Sequence, residues 1–178
     1  SYTDIYAQKI NTSGNLLWDT DGVEVAIALN KQINPRLDSD DNGGAWVTWE
    51  DGRSNTNYPF NDIYVQHLNS SGAAQLAANG VALCDETNYQ FSPLIKKNGN
   101  SIYAVWGDIR TGSTGIYIQI LNTAGAIQLD NNGELVWYGL EGDANNLHVI
   151  ENGSSPILLW EDTRFASIAN QIYMQVVN

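Results

Sequence analysis

The segment DIYAQKIN at Asp4 returns as DIYVQHLN at Asp62, as IYIQILN at Ile116 and as IYMQVVN at Ile172. The isoleucines are 58, 53 and 56 residues apart. A chain that repeats itself at such a period must fold as copies of one supersecondary unit, each covering what its neighbour cannot bury alone. The rest of the period agrees. A turn glycine follows each of the first three copies (Gly14, Gly72, Gly125), then an apolar position (Trp18, Leu76, Leu129), then a second glycine (Gly22, Gly80, Gly133), always eight residues after the first. Pro35 and Pro93 come next, and then apolar runs that close in Trp49, Trp106 and Trp160.

The period reads as β-structure throughout: its apolar segments are short, alternating or β-branched, and Gly, Asn and Ser clusters separate them. No helical stripe is present. Four strands are expected per period: one around Leu37, one ending at Trp49, one at DIYVQHL and one reaching the Leu76 position. A four-stranded unit of this length without helices reads as a blade of a β-propeller, whose sheets pack face to face around an axis. The fold class expected is therefore all-β, with about three blades covering 4–61, 62–115 and 116–171 and a final partial strand at 172–178. Closed propellers usually have ~4 to 8 blades. The chain is thus expected to be part of a longer propeller or to complete a ring by oligomerisation. A three-repeat solenoid or an irregular β-sandwich is the alternative.

Twenty acidic side chains against eight basic ones give a net charge of −12, which repels phosphate-rich partners and argues against nucleic acid. Cys84 is the single cysteine, so no internal disulfide can form and packing must supply the stability. No apolar run approaches the ~20 residues of a membrane helix, and the first residues lack the charged and apolar regions of a signal peptide. A secreted protein would then be present here in processed form. Sequons at Asn11, Asn69 and Asn152 fit glycosylation, but an Asn-rich chain produces them by chance.

Six tryptophans dominate the expected packing, because each one buried removes ~150 to 250 Å² from water. Trp49, Trp106 and Trp160 are the anchors. Each is followed at two residues by Asp and at four by Arg: Asp51 with Arg53, Asp108 with Arg110, Asp162 with Arg164. Side chains two apart on an extended segment share a face, so these pairs are read as structural latches. A catalytic site on a ring draws different residues from different blades, which argues against a catalytic role for a pair that every copy carries.

Ser39, Asp41, Gly43 and Trp46 match the pattern S-x-D-x-G-x-x-W and so resemble the Asp-box of sialidase-like and sortilin-like propellers. The repeat as a whole more strongly resembles the DIYAQ-type propeller repeats of secreted or cell-surface bacterial proteins, many of them exported by type IX secretion. That likeness covers nearly the whole chain. It implies an extracellular or cell-surface propeller in a bacterium, and it carries no single activity.

No set of residues here marks out an active site. Three equivalent arginines could clamp a carboxylate, but each has an Asp beside it. Glu50 with Asp51 and Glu161 with Asp162 are neighbours on opposite strand faces, not the facing carboxylates a retaining glycosidase needs. Asp38, Asp40, Asn42 and Gly43 imitate the start of a calcium loop, but the twelfth position is Trp49, and a plain hairpin turn is the preferred reading. No cofactor is expected. His67 and His148 are far apart, and the repeat replaces His67 by Lys9 and Ile120.

The loops after the latches (SNTNYPFND, TGSTG, FASIANQ) and the connections between blades vary most, and in an up-and-down sheet they emerge at one end. Tyr58, Phe60, Tyr89, Trp137 and Tyr138 are aromatics that break the repeat, and they are the candidate ligand-binding residues, for a glycan or a protein. The function expected is a non-catalytic extracellular module for ligand binding, adhesion or scaffolding. The alternative is a propeller that accompanies or forms part of a secreted glycosidase, sialidase-like enzyme or peptidase.

Overall fold

A computed structural model of the chain describes residues 3–54, 61–139, 144–153, 155–162 and 171–176. Its strands are β1 (Ile5–Ala7), β2 (Val23–Ala26), β3 (Gln32–Ser39), β4 (Ala45–Asp51), β5 (Asp62–Leu68), β6 (Val81–Cys84), β7 (Gln90–Asn98), β8 (Ser101–Asp108), β9 (Gly115–Asn122), β10 (Glu134–Tyr138), β11 (Ala144–Asn152), β12 (Ser155–Asp162) and β13 (Gln171–Val176). No helix occurs among the described residues. Two complete four-stranded meanders, β3-β4-β5-β6 and β7-β8-β9-β10, stand between the pair β1-β2 and the three-stranded sheet β11-β12-β13. Every pairing is antiparallel.

The sheets cover one another face to face. Ile5, Val25 and Ala26 of the β1-β2 sheet pack on Val47, Trp49 and Leu68. The opposite side of that second sheet, with Trp46, Ile63 and Val65, packs on Ile102, Ala104 and Trp106 of the next. Tyr103, Val105 and Ile118 in turn meet Leu158 and Trp160. A sheet buried on both sides needs apolar residues at successive positions, which is why the strands do not alternate cleanly. The first strands of consecutive sheets, β3, β7 and β11, lie beside one another and form the inner edge of the array.

The repeated residues have local jobs. The glutamine of the signature clips the link between third and fourth strands: Gln66 accepts from the His67 and Leu76 amides through Oε1 (2.9 and 2.9 Å) and donates through Nε2 to the Ala77 carbonyl (2.9 Å). Gln119 and Gln8 repeat the pattern with Ile120, Leu129 and Asp130, and with Lys9, Trp18 and Asp19. The asparagine three residues after the clip caps the following turn, as where Asn69 Oδ1 accepts from the Ser71 and Ala73 amides.

The second glycine admits the tryptophan. A Cβ on Gly80 would lie 2.4 Å from Trp49 Cη2, and one on Gly133 would lie 2.4 Å from Trp106 Cη2; both residues also have positive φ (81° and 77°). The fourth strand therefore begins after this glycine, at Val81 or Glu134, rather than at the Leu76 position expected from the sequence. Leu76 itself sits in the link that Gln66 clips.

Candidate functional site

At each described latch the strand ends on the aspartate, and the arginine folds back from a turn instead of extending beside it. Arg53 donates to Asp51 through its amide, Nε and Nη2 (2.9, 2.9 and 2.6 Å), and Nη2 also reaches the Asn79 carbonyl at 2.7 Å. Trp49 Nε1 donates to the same carboxylate at 2.7 Å, and the guanidinium lies 4.0 Å from the centre of the Tyr64 ring. The second latch repeats this with Arg110, Asp108, Trp106, the Asn132 carbonyl and Tyr117. It adds the thiol of Cys84, 3.1 Å from Arg110 Nη2. Burial, countered by Arg110, pushes that thiol up to about 12. In the third copy Trp160 and Asp162 are buried, and Arg164 lies outside the described residues. Both described latch guanidiniums are engaged within their own blade.

The turn between β3 and β4 holds the Ser39–Trp46 motif. Asp40 Oδ1 accepts from the Asn42 and Gly44 amides (2.8 and 2.7 Å), and Oδ2 lies 3.0 Å from His67 Nε2, whose ring stacks on Trp46. Burial raises its pKa, but these hydrogen bonds prevail and hold the carboxylate below its usual value. Asp38 accepts from Lys96 Nζ and from the Lys97 amide (3.3 and 2.8 Å), so the calcium-like acids serve the turn and the neighbouring blade.

Of the five aromatics singled out by the sequence, Tyr58 and Phe60 lie outside the described residues. Tyr89 is half-buried; it stacks on Phe91 and its hydroxyl donates to Glu50 at 3.2 Å. Trp137 packs against Trp160, with ring centroids 5.8 Å apart. Tyr138 follows Trp137 on β10, where hydrogen bonds with Thr111 and Ser113 hold its phenol below the usual value. Among the described residues, Tyr89 is thus set apart from the neighbouring Trp137 and Tyr138, and the three do not meet at one spot.

Tyr89 and Tyr138 lie at one end of the array, where β4 and β8 end and the connections between blades run. Backbone bonds tie the segments there together: the Gly52 amide to the Lys31 carbonyl (2.8 Å), Ile109 to Tyr89 (3.1 Å) and Gln90 to Asn61 (3.1 Å). Close to this end each inner strand carries a bulge, at Ile33/Arg36, Phe91/Leu94 and Asn145/His148. Asn34, Ser92 and Asn146 occupy it in the left-handed region, with φ of 53°, 51° and 48°. Bulges redirect side chains and concentrate where strands line functional sites. Here they leave Asn34, Arg36, Ser92, Asn146 and His148 exposed on the inner edge.

Behind the first two bulges lies a buried carboxylate. Glu50 is 1% exposed. Its Oε1 accepts from Asn34 Nδ2 and the Ser92 amide (2.9 and 2.9 Å), and its Oε2 accepts from Asn61 Nδ2 and Tyr89 (2.9 and 3.2 Å). Four donors fix one carboxylate between two blades. The same position is Gly107 in the next blade, where a Cβ would meet the Phe91 ring at 2.6 Å, and Glu161 in the third. Blade-to-blade asymmetry therefore exists at this position as well as in the loop sequences. Sequence reasoning missed the one at this position, although Pro35 and Pro93 mark the first two bulges.

A second acid sits farther out at this end. Asp62 is buried, and its Oδ2 has no hydrogen-bond partner among the described residues. Burial, with Asp85 and Asp51 nearby and a hydrogen bond from Ser54 opposing, pushes it up to about 6.

Stacked four-stranded meanders with their first strands at a common inner edge define a β-propeller. Solved structures of the same fold include the α-L-arabinofuranosidase Arb93A from Fusarium graminearum in complex with an iminosugar inhibitor (11% identity, 98% of this chain and 49% of that one, TM-score 0.59). They also include the α-L-arabinanase of Penicillium chrysogenum complexed with arabinobiose (14% identity, 83% and 46%, TM-score 0.58). The chain spans about half the length of these structures. No protein-family model and no curated protein matches the sequence. The solenoid and sandwich alternatives are thereby set aside. The expectation of a non-catalytic adhesion or scaffolding module is also corrected: these propellers are glycoside hydrolases, and the hydrolase alternative accords with them better.

Proposed function

We propose that this chain is part of a glycan-hydrolysing propeller, and that the sugar is received at the inner edge where the three bulges open. The observation that carries this reading is the break in the repeat at that edge. Latches, clips and turn caps recur from copy to copy, whereas the exposed inner-edge set of Asn34, Arg36, Ser92, Asn146 and His148 is different in each blade. A site that must treat the two ends of a sugar unequally needs such differences. The fold shared with arabinan-processing enzymes supports α-L-arabinofuranosyl oligosaccharides as the substrate class. Tyr138 would lend an apolar ring at the rim of the same end.

The reading places the chain within a larger ring, since a half-ring presents only half of an axial site. It also fits the extracellular bacterial setting that the DIYAQ-type resemblance implies, where polysaccharide is met outside the cell. The test is titration of the purified chain with arabinobiose and longer arabino-oligosaccharides, followed by NMR, with release of reducing sugar measured in parallel. Binding that weakens at least ~10-fold in Arg36→Ala or His148→Ala, as loss of a charged or polar contact would produce, supports the proposal. Absence of both binding and hydrolysis across the series refutes it.

A further inference from the structure

We propose that the turn between β3 and β4 carries a site of self-modification, at which Asn42 closes on the amide nitrogen of Gly43 and is converted to aspartate and isoaspartate. An asparagine followed by glycine permits this chemistry, because no Cβ on the next residue obstructs the approach of its nitrogen to the side-chain carbonyl. The Gly43 nitrogen attacks Cγ of Asn42, the Cγ–Nδ2 bond breaks, and the former Gly43 amide proton leaves with Nδ2 as ammonia. Water then opens the cyclic imide. Cleavage of the bond from the nitrogen to Cγ gives aspartate, and cleavage of the bond to the main-chain carbonyl gives isoaspartate, with the chain continuing through Cγ. Water is the one co-reactant.

The chain has five Asn-Gly steps, at Asn42, Asn79, Asn98, Asn132 and Asn152. Their surroundings differ. Asn79 Oδ1 accepts from the Ile27 amide at 2.8 Å and Asn132 Oδ1 from the Asp85 amide at 3.1 Å, so each side chain is tied to the connection that leaves the preceding blade. Asn132 Nδ2 also donates to Glu86 at 3.1 Å. The attacking nitrogens are occupied as well, because Gly80 and Gly133 donate their amides to the Ala77 and Asp130 carbonyls (2.9 and 3.1 Å). Asn98 Nδ2 donates to the Gly153 carbonyl in the β11-β12 hairpin of the next blade. The Asn152 side chain lies outside the described residues.

Asn42 has neither restraint. It is exposed, and its Nδ2 donates within its own turn, to the Asp40 carbonyl at 3.3 Å. The amides on either side, those of Asn42 and Gly44, donate to Asp40 Oδ1 (2.8 and 2.7 Å), whereas the Gly43 amide has no hydrogen bond among the described residues. Lys9 Nζ holds the Gly43 carbonyl at 2.7 Å, one peptide unit beyond the reacting nitrogen. Both the electrophile and the nucleophile are thus available at this step.

Conversion places a new carboxylate beside Asp40 and Asp41. Isoaspartate also lengthens the main chain by a methylene within the span that brings both amides to Asp40, and so loosens the carboxylate that lies 3.0 Å from His67 Nε2. This turn precedes β4, whereas the inner-strand bulges lie toward the other end of that strand. The inference is therefore independent of the glycan reading.

The test is peptide mapping by mass spectrometry of the full chain aged in mildly alkaline buffer, folded and in urea, with electron-transfer fragmentation to separate isoaspartate from aspartate. In the folded chain Asn42 is expected to convert at least ~10-fold faster than Asn79, Asn98 and Asn132, whose conversion waits on local opening. In urea the four rates converge. Asn42→Gln, whose longer side chain closes the imide poorly, removes the product at this position and leaves the other three unchanged. Conversion of Asn79, Asn98 or Asn132 in the folded chain as fast as that of Asn42 overturns the proposal. So does an Asn42 that stays intact when folded but converts in urea, or a preference for Asn42 that persists undiminished in urea.

Discussion

Asp62 shows how a buried acid at a loop base is tuned by what surrounds it. Its folded-state pKa, raised to about 6, lies above the ordinary carboxylate value, so the native state binds more protons than the unfolded chain between about pH 4 and 6. Stability therefore falls as pH rises through that window, and the cost is fully present at neutrality. Asp62→Asn removes the ionisation. It should stabilise the protein at pH 7 by on the order of 1 to 3 kcal/mol and leave it nearly unchanged near pH 4, as read by urea unfolding at the two pH values. A substitution of equal effect at both would refute the assignment.

Glycine positions separate just as sharply. Gly80→Ala places a methyl against Trp49 in a left-handed backbone and should cost roughly 2 to 4 kcal/mol. Gly99→Ala, with φ of 56° but nothing within 4 Å, should cost only about 1 kcal/mol. Thermal or urea denaturation of the two variants compares them directly.

At the scale of elements, the glutamine clip makes the third-to-fourth-strand link part of the sheet. Gln66→Leu strands two amides and one carbonyl and should destabilise by about 2 to 3 kcal/mol, whereas Gln8→Leu, in the exposed copy where water can substitute, should cost under about 1 kcal/mol. Equal losses would mean that solvent does not decide the effect. Much of this element-level design was legible in the sequence, because clip, cap and glycine recur at fixed spacing and each acts within one blade. The inner edge was not. Glu50 finds Ser92 and Tyr89 across a blade boundary, about forty residues away, and no local pattern announces such a partner. Asn34, Ser92 and Asn146 share a backbone conformation but only two of them share a side chain. Tyr89 was picked out for breaking the repeat, yet its hydroxyl serves that same carboxylate. The fourth strand was misplaced because Leu76 is apolar like a strand residue but is held in a link.

On the scale of the whole molecule, stability is distributed by how many sides of a sheet are covered. The two complete blades are flanked on both faces, while β13 exposes Ile172 and Met174. Amide exchange should accordingly be slowest in β4, β5, β8 and β9 and fastest in β13 for the isolated chain, since local opening follows the contacts an element makes. Protection of β13 equal to that of β8 would contradict this account.

Cys84 lies where the second latch, the third strand and the boundary between two blades meet, walled in by Arg110 and Asp108. With its thiol kept protonated to about 12, it is a poor nucleophile in the native protein and an ordinary one once the blade opens. The chain thus contains a single chemical clock: the rate at which a thiol reagent modifies it measures how often this blade comes apart.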